Sequence, residues 1–412
     1  MTSLEIIEKK VFETFCNTVS YKSFMQSVEM ADLLKKRGYQ VDYLGLKAEE
    51  TLQVAAVLFS LPMTGGFHME INSGPVSRDK HYLKQFYQEL QSYAKENGAL
   101  ELLVKPYDTY QHFDTTGQPT DQENTALLDD FLSLGYQHDG LLTGYPGGEP
   151  DWHYVKDLTD LDEKTLLKSF SKKGRPLVKK AKTFGITLRK LNRDELPLFK
   201  EITSATSDRR DYDDKSLDYY QDFYDSFGDS CEFMVASLNF QDYLAHLETD
   251  KAKLDQRIEK LRTAIENNNV SEKKQNQLRE LSSQSATFDT RMAEAKEFIG
   301  KYGSQNIALA GSLFVYTKQE AVYLFSGSYP EFSKFYAPAL LQEYVMLEAI
   351  KRGITTYNLL GITGEFDGSD GVLRFKQNYN GYITRKMGTF RYYPHPLKYK
   401  LIHNLKKILR RH

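Results

Sequence analysis

Along residues 244–299 the hydrophobic positions recur at helical spacing, in two strings divided by the polar stretch Asn267-Asn268-Asn269-Val270-Ser271-Glu272. Leu244, Leu247, Leu254, Ile258, Leu261 and Ile265 take alternating a and d heptad positions, with Lys251 as the polar intruder. After the turn Leu278, Leu281, Phe288, Met292, Ala295 and Ile299 repeat the pattern, interrupted at Ser285. Two such strings joined by a short polar turn predict an antiparallel coiled-coil hairpin. Its first helix, of about 23 residues, reaches roughly 35 Å at 1.5 Å per residue. The flanking sequence has shorter, globular patterns. The hairpin is therefore an arm inserted into a compact protein, of a kind that holds a large partner.

Elsewhere short apolar runs alternate with helical spacing. Residues 54–59 and 100–104 are apolar strands. Between them, residues 80–97 place Leu83, Phe86, Leu90 and Tyr93 on one helical face, with Gly98 just past the end. Residues 126–134 form a further helix, and the Gly- and Pro-rich stretch 144–150 is a linker. The rhythm then restarts: a helix over 164–184 precedes a strand at 186–188, and helices 195–207 and 217–227 precede a strand at 231–236. Beyond the arm come strands 307–316 and 321–325, a helix 338–351 and a strand 356–360. The chain is thus an α/β (α+β) protein of two similar units, 1–150 and 151–381, with the arm at 242–302 inserted into the second.

A length of 412 residues accommodates two such units with full cores. The net charge of −2 points to no partner, but the distribution of charge does. Residues 164–193 carry eleven Lys or Arg and no Asp or Glu. A solvated helix mixes signs for i,i+4 pairing, so this block around Lys172 to Lys182 reads as a phosphate grip as readily as a solvated face. Near the C-terminus, Leu397, Leu401, Leu405, Ile408 and Leu409 share a helical face opposite six Lys or Arg. That is the pattern of an interfacial helix drawn to anionic lipid, with a helix packed on its own domain as the alternative.

Cys16 and Cys231 lie far apart and no CxxC occurs, which suits a reducing cytosol. Residues 1–10 lack the apolar core of a signal peptide, and the run 54–63 is too short to span a bilayer. A cytoplasmic protein with peripheral membrane contact is expected. There is no Walker loop, HExxH or GxSxG, so the chemistry comes from scattered side chains, with no metal or cofactor called for.

One ordered set of segments is more specific. It comprises Ser23-Phe24-Met25-Gln26-Ser27, the basic block 172–181, Tyr336-Ala337-Pro338-Ala339-Leu340-Leu341-Gln342, Ala349-Ile350-Lys351-Arg352-Gly353-Ile354, Tyr357-Asn358-Leu359-Leu360-Gly361-Ile362 and Leu373-Arg374-Phe375-Lys376. Together these resemble the Fem (FemABX) family of peptidoglycan aminoacyltransferases across essentially the whole chain. The nearest likeness is to the streptococcal MurM/MurN branch, and the opening segment is more similar to its MurN side. The resemblance implies two acetyltransferase (GNAT)-like domains without acetyl-CoA, the first completed by residues 382–412. It implies an arm similar to the tRNA-gripping arm of seryl-tRNA synthetase. It also implies transfer of an amino acid, alanine, from aminoacyl-tRNA to an amine of lipid II at the inner membrane face. A partner transferase is a further candidate for contact with the arm.

The same resemblance assigns residues. Lys376 stabilises developing charge or holds a phosphate near it, and Phe375 meets the tRNA acceptor end. Lys35 and Lys36 hold phosphates of the acceptor. Lys215 and Tyr219 match a family Arg/Tyr pair, Tyr323 matches a tyrosine of the central strand, and Arg175 belongs to the basic helix. Lys105 stands where the family often has an aspartate, so Asp108 is the candidate base. Freeing a lysine ε-amine at pH 7 costs roughly 4–5 kcal/mol but freeing an α-amine only about 1 kcal/mol, so an enzyme adding the second bridge residue needs less help from a base. The competing readings are a first-position enzyme of the same family, an acyl-CoA N-acetyltransferase, and a non-catalytic coiled-coil scaffold at the membrane surface.

Overall fold

The computed structural model describes residues 2–210, 212–267 and 271–408. Its strands in chain order are β1 (Thr2–Ile6), β2 (Gln40–Ala48), β3 (Thr51–Met63), β4 (Gly66–Asn72), β5 (Val76–Ser77), β6 (Ala99–Lys105), β7 (Thr109–Phe113) and β8 (Gln137–His138). They continue as β9 (Trp152–Asp157), β10 (Thr187–Lys190), β11 (Cys231–Asn239), β12 (Asn306–Tyr316), β13 (Ala321–Ser328), β14 (Thr356–Ile362), β15 (Tyr382–Lys386) and β16 (Phe390–Tyr392).

These strands form two sheets. The first runs β1-β2-β3-β4-β6-β16-β8, with β5 added on β3, and the second runs β10-β11-β12-β13-β14-β9-β15-β7. Each has an antiparallel run, one parallel pair and an antiparallel close. The parallel pairs are β4 with β6 and β13 with β14. Helices Leu83–Glu96 and Ala337–Lys351 make the two crossovers, as a parallel connection requires. This mixed α/β architecture is the one expected from the sequence.

The apolar run at 54–59 is continuous because β3 is covered on both sides. Val54, Ala56 and Leu58 pack with Phe86 and Leu90 of one helix. Ala55 and Val57 pack with Phe12 and Phe15 on the opposite face.

The sheets trade strands. β7, from the first half of the chain, pairs with β15 at the end of the second sheet. β16 crosses back between β6 and β8 of the first. The segment 382–412 thus divides: β15 extends the second sheet, and only the chain beyond β15 reaches the first.

The arm consists of helices Phe240–Glu266 and Glu272–Tyr302. The first has 27 residues and spans about 40 Å. It is longer than its heptads suggest because β11 passes into it at Asn239, whose side chain caps the N–H groups of Gln241 and Asp242. Leu254, Ile258 and Leu281 form its buried seam. The two heptad intruders meet one another's partners. Lys251 reaches Asp255 at 2.7 Å and Asp289 at 3.5 Å, and the Ser285 hydroxyl donates to Asp255 at 2.8 Å. At the root, Phe240 stacks on Phe298 at 4.5 Å, and Arg291 lies over Phe184 while donating to the Tyr243 hydroxyl. Asn268, Asn269 and Val270 of the expected turn lie outside the described residues.

One local expectation changes. The helix expected over 164–184 is two, Leu166–Ser169 and Gly174–Lys182. It breaks because the Ser171 N–H donates to the Asn378 carbonyl at 3.0 Å instead of continuing a helix. The segment bearing Phe375 and Lys376 is a short helix, Gly371–Lys376, capped by Asp370, whose carboxylate accepts from Val372 and Leu373.

Candidate active site

The parallel ladder between β13 and β14 holds two residue pairs, Ala321 with Tyr357 and Val322 with Asn358. Beyond them the strands part, and β14 also bulges against β9 between Asn358 and Gly361. Leu360 lies in the bulge at φ +55°, a left-handed conformation uncommon for a residue with a Cβ. The Asn358 carboxamide oxygen accepts its N–H at 2.8 Å. At the bulge Lys376, the last residue of its helix, donates to the Leu360 and Gly361 carbonyls at 3.0 and 2.6 Å. Burial lowers the Lys376 ammonium to about 7, against the opposing pull of Asp370. A lysine so placed exchanges its proton near neutral pH instead of holding it as a fixed charge.

Two other predicted residues border the same gap. Tyr323 is the next residue of β13 after the ladder ends, and its hydroxyl donates to Ser326 at 2.6 Å. Phe375 is half-buried, edge-on to Tyr379 at 5.5 Å. The basic helix joins here. Gly174 packs so closely on Asn378 that an added Cβ would lie 2.0 Å from its carbonyl oxygen. This contact fixes the start of the Gly174–Lys182 helix against the segment just beyond Phe375 and Lys376. Arg175 donates to the Phe170 carbonyl at 2.8 Å, and with Lys172, Lys179 and Lys180 it lines a surface hollow of about 570 Å³.

A second group gathers elsewhere between the halves. Lys35 and Lys36 are exposed at the end of helix Val28–Lys36, where Lys35 sits over the Tyr43 ring. The next residue, Arg37, bridges to Asp218 and Asp222 of helix Leu217–Phe227, at 3.4 and 3.1 Å. That helix carries Tyr219, with the Lys215 ammonium 5.4 Å from its ring centre.

The carboxylate candidate is already engaged. Asp108 is buried and accepts from Lys80 at 2.6 Å. Lys105 lies between Glu70 at 2.9 Å and Glu149 at 3.0 Å.

Sequence reasoning missed a buried polar cluster joining the two halves. The Tyr107 hydroxyl donates to Glu320 at 2.6 Å, and the Asn358 amide donates to both at 2.9 and 3.2 Å. Lys386 donates to the Tyr107 carbonyl and to the Tyr21 hydroxyl. Burial raises Glu320 and lowers Lys386 to about 8, drawing both toward neutrality. His153, beside Asn358, is held neutral by burial and by the neighbouring Lys386 and Lys376. These residues come from distant parts of the chain and form no motif. Their one visible signal is Asn358, which falls inside a segment carrying the family resemblance.

Among the described residues no helix is long and apolar enough to cross a membrane. Comparison with known proteins matches residues 7–407 to the FemAB family. Aminoacyltransferase FemA of Staphylococcus epidermidis is 27% identical over 408 residues, covering 97% of this chain and 98% of the relative. Aminoacyltransferase FemA of Staphylococcus aureus is 28% identical over 390 residues, covering 92% and 93%. The crystal structure of FemX superposes with a TM-score of 0.77 at 22% identity, covering 97% of this chain and 99% of that one, and shares the fold. The chain belongs to the FemAB family.

Proposed function

We propose that this member of the FemAB family is an aminoacyltransferase. It moves an amino acid, alanine, from aminoacyl-tRNA to an amine of the lipid II stem-peptide branch, at the second position of the interpeptide bridge, as on the MurN side of the MurM/MurN branch. The observation that carries the reading is the contact of Gly174 with Asn378, which seats a basic, phosphate-compatible hollow beside the segment bearing Phe375 and Lys376. A bound tRNA gripped at the hollow and along the arm brings its acceptor end to the gap between β13 and β14.

The chemistry is attack of a neutral amine on the ester carbonyl. The C–N bond forms, the bond from the carbonyl carbon to the ribose oxygen breaks, and one proton passes from the amine to the departing hydroxyl. Donors aimed at the developing oxyanion supply much of the acceleration. Lys376 is the donor nearest this role, and burial to about 7 lets it act with or without its proton near neutrality. The candidate base is not free, since Asp108 is held by Lys80, and Lys105 stands where the family often has an aspartate. An acceptor α-amine near 7.7–8 needs only about 1 kcal/mol of help, which favours second-position transfer over attack by a lysine ε-amine.

The membrane supplies the lipid II. In the Pro396–Ile408 helix, Leu397, Leu401 and Leu405 are 84%, 62% and 48% exposed, a profile suited to insertion between lipid headgroups. Leu409, Arg410 and Arg411 of the same expected helix lie outside the described residues.

The test is mass spectrometry of lipid II incubated with the protein and alanyl-tRNA, comparing the bare lysine stem with a stem already carrying one Ser or Ala. Gain of alanine only on the extended stem supports the reading. Gain on the bare lysine makes the protein a first-position enzyme, and no gain on either returns the scaffold reading.

A further inference from the structure

A cavity of about 320 Å³ opens between the two halves, and none of the candidate residues above lines it. Phe12 and Val28 from the first half and Phe227 and Val315 from the second give it apolar walls. Lys22 lines it too. Only 8% of Lys22 is exposed, and among the described residues its ammonium has neither a carboxylate nor a hydrogen-bond acceptor. An unpartnered ammonium at the end of an otherwise buried side chain, facing the cavity, is favourably met by an anion there.

A second feature of the cavity meets the same demand. Helix Val28–Lys36 starts in its wall. The Ser27 hydroxyl accepts from Met30 and the Ser27 carbonyl from Ala31, which leaves the Val28 and Glu29 N–H groups without an acceptor among the described residues. Free N–H groups at a helix start bind anions. The other cations of the lining, Arg352 and Lys318, are exposed, and Arg352 is already taken by Glu232 at 3.0 Å and Glu348 at 2.9 Å.

The charge of the ligand follows from the opposing groups. Glu29 is half-buried and Glu13 is exposed, both line the cavity, and neither has a cationic partner among the described residues. Lys22, Glu29 and Cys16 all line the cavity, so the two opposite charges border one space. Lys318 and Glu13 are both exposed and offset one another, so the inner wall sets Lys22 against Glu29, and the glutamate would repel a dianionic phosphate there. A single carboxylate with an adjoining ammonium satisfies both sets of groups.

We infer that this cavity binds a small zwitterion, a free amino acid or the terminus of a short peptide, with its carboxylate on Lys22 and the start of the Val28–Lys36 helix. Because both halves supply walls, the ligand ties them together and raises the melting temperature of the whole chain. This inference is independent of the proposed transferase activity.

The test is thermal unfolding of the full chain with L-alanine, propionate or inorganic phosphate at matched ionic strength. L-alanine raises the melting temperature in a saturable way, propionate raises it less, and phosphate has no effect beyond its ionic strength. Lys22→Met needs about tenfold more alanine for the same shift, the loss of one charged hydrogen bond. Asn17 is exposed at the cavity mouth, so Asn17→Trp blocks entry without entering the core and abolishes the shift even if Lys22→Met fails to fold. No shift with alanine, an equal shift in Asn17→Trp, or a larger shift with phosphate overturns the inference.

Discussion

Lys376 places its ammonium 2.6 Å from the carbonyl oxygen of Gly361 while only 3% exposed to solvent. The lysine closes a gap that the sheet itself leaves open, and its protonation is therefore tied to folding. Between about 7, its folded value, and 10.5, its ordinary value, the unfolded chain holds a proton that the folded chain does not. In that window stability rises with pH, by up to about 1.4 kcal/mol per unit. Below about 7 both states are protonated and the burial penalty is complete. Denaturant melts should show the stability of the parent minus that of Lys376→Met climbing from pH 7 to 9. A flat difference would mean an ordinary, solvated lysine.

Asp255 serves both polar intruders of the arm, Lys251 and Ser285. All three are partly exposed, so Asp255→Ala should loosen the arm by only about 0.5–1 kcal/mol. Amide exchange should quicken around Leu254 and Leu281 and stay unchanged in the sheets. Leucine at both Lys251 and Ser285 should slow exchange there while removing the mark that fixes helix register.

The hollow lined by Lys172, Arg175, Lys179 and Lys180 predicts a salt dependence. Each phosphate that a Gln substitution leaves without its cation should flatten the log–log slope of tRNA affinity against salt by about 0.7–0.9. Affinity titrations at several salt concentrations measure this. A slope unchanged in the fourfold variant would remove the hollow from the interface.

Asn358 both donates to the buried Tyr107–Glu320 pair and accepts the N–H of Leu360. Asn358→Leu leaves those groups unpaired and should cost about 2–4 kcal/mol. Activity should fall further than stability explains, because the carbonyls that hold Lys376 lose their support. Transfer assays well below the melting temperature separate the two effects.

Leu397 and Leu401 are mostly exposed and Leu405 is about half-buried, so serine at all three should lower the melting temperature only slightly. Sedimentation with anionic vesicles should lose the protein. Retained binding would assign the helix a protein contact instead.

What the sequence revealed was what local spacing encodes. The heptads through Leu254 and Leu281 disclosed the arm, and the Leu83, Phe86 and Leu90 spacing disclosed a crossover helix, because each pattern repeats within a few turns. Lys251 and Ser285 were visible as exceptions to the heptads, but their shared partner Asp255 was not, since pairing across a hairpin depends on register. Lys376 was legible through family resemblance, yet its burial under the Leu360 bulge was not, because a bulge arises from pairing with β9 two hundred residues earlier in the chain. The Tyr107, Glu320 and Lys386 cluster had no local signature at all.

The exchange of strands between the sheets also constrains how the protein is made. Strand β6 is synthesised early, but its neighbour β16 is encoded almost three hundred residues later. Until then β6 presents an open row of backbone donors and acceptors, the template on which unrelated chains aggregate. The first half of a nascent chain is thus a client in waiting for chaperones, and any truncation upstream of Phe390 leaves that edge permanently bare. A nonsense change late in the gene should therefore be as damaging to solubility as one that removes a core helix.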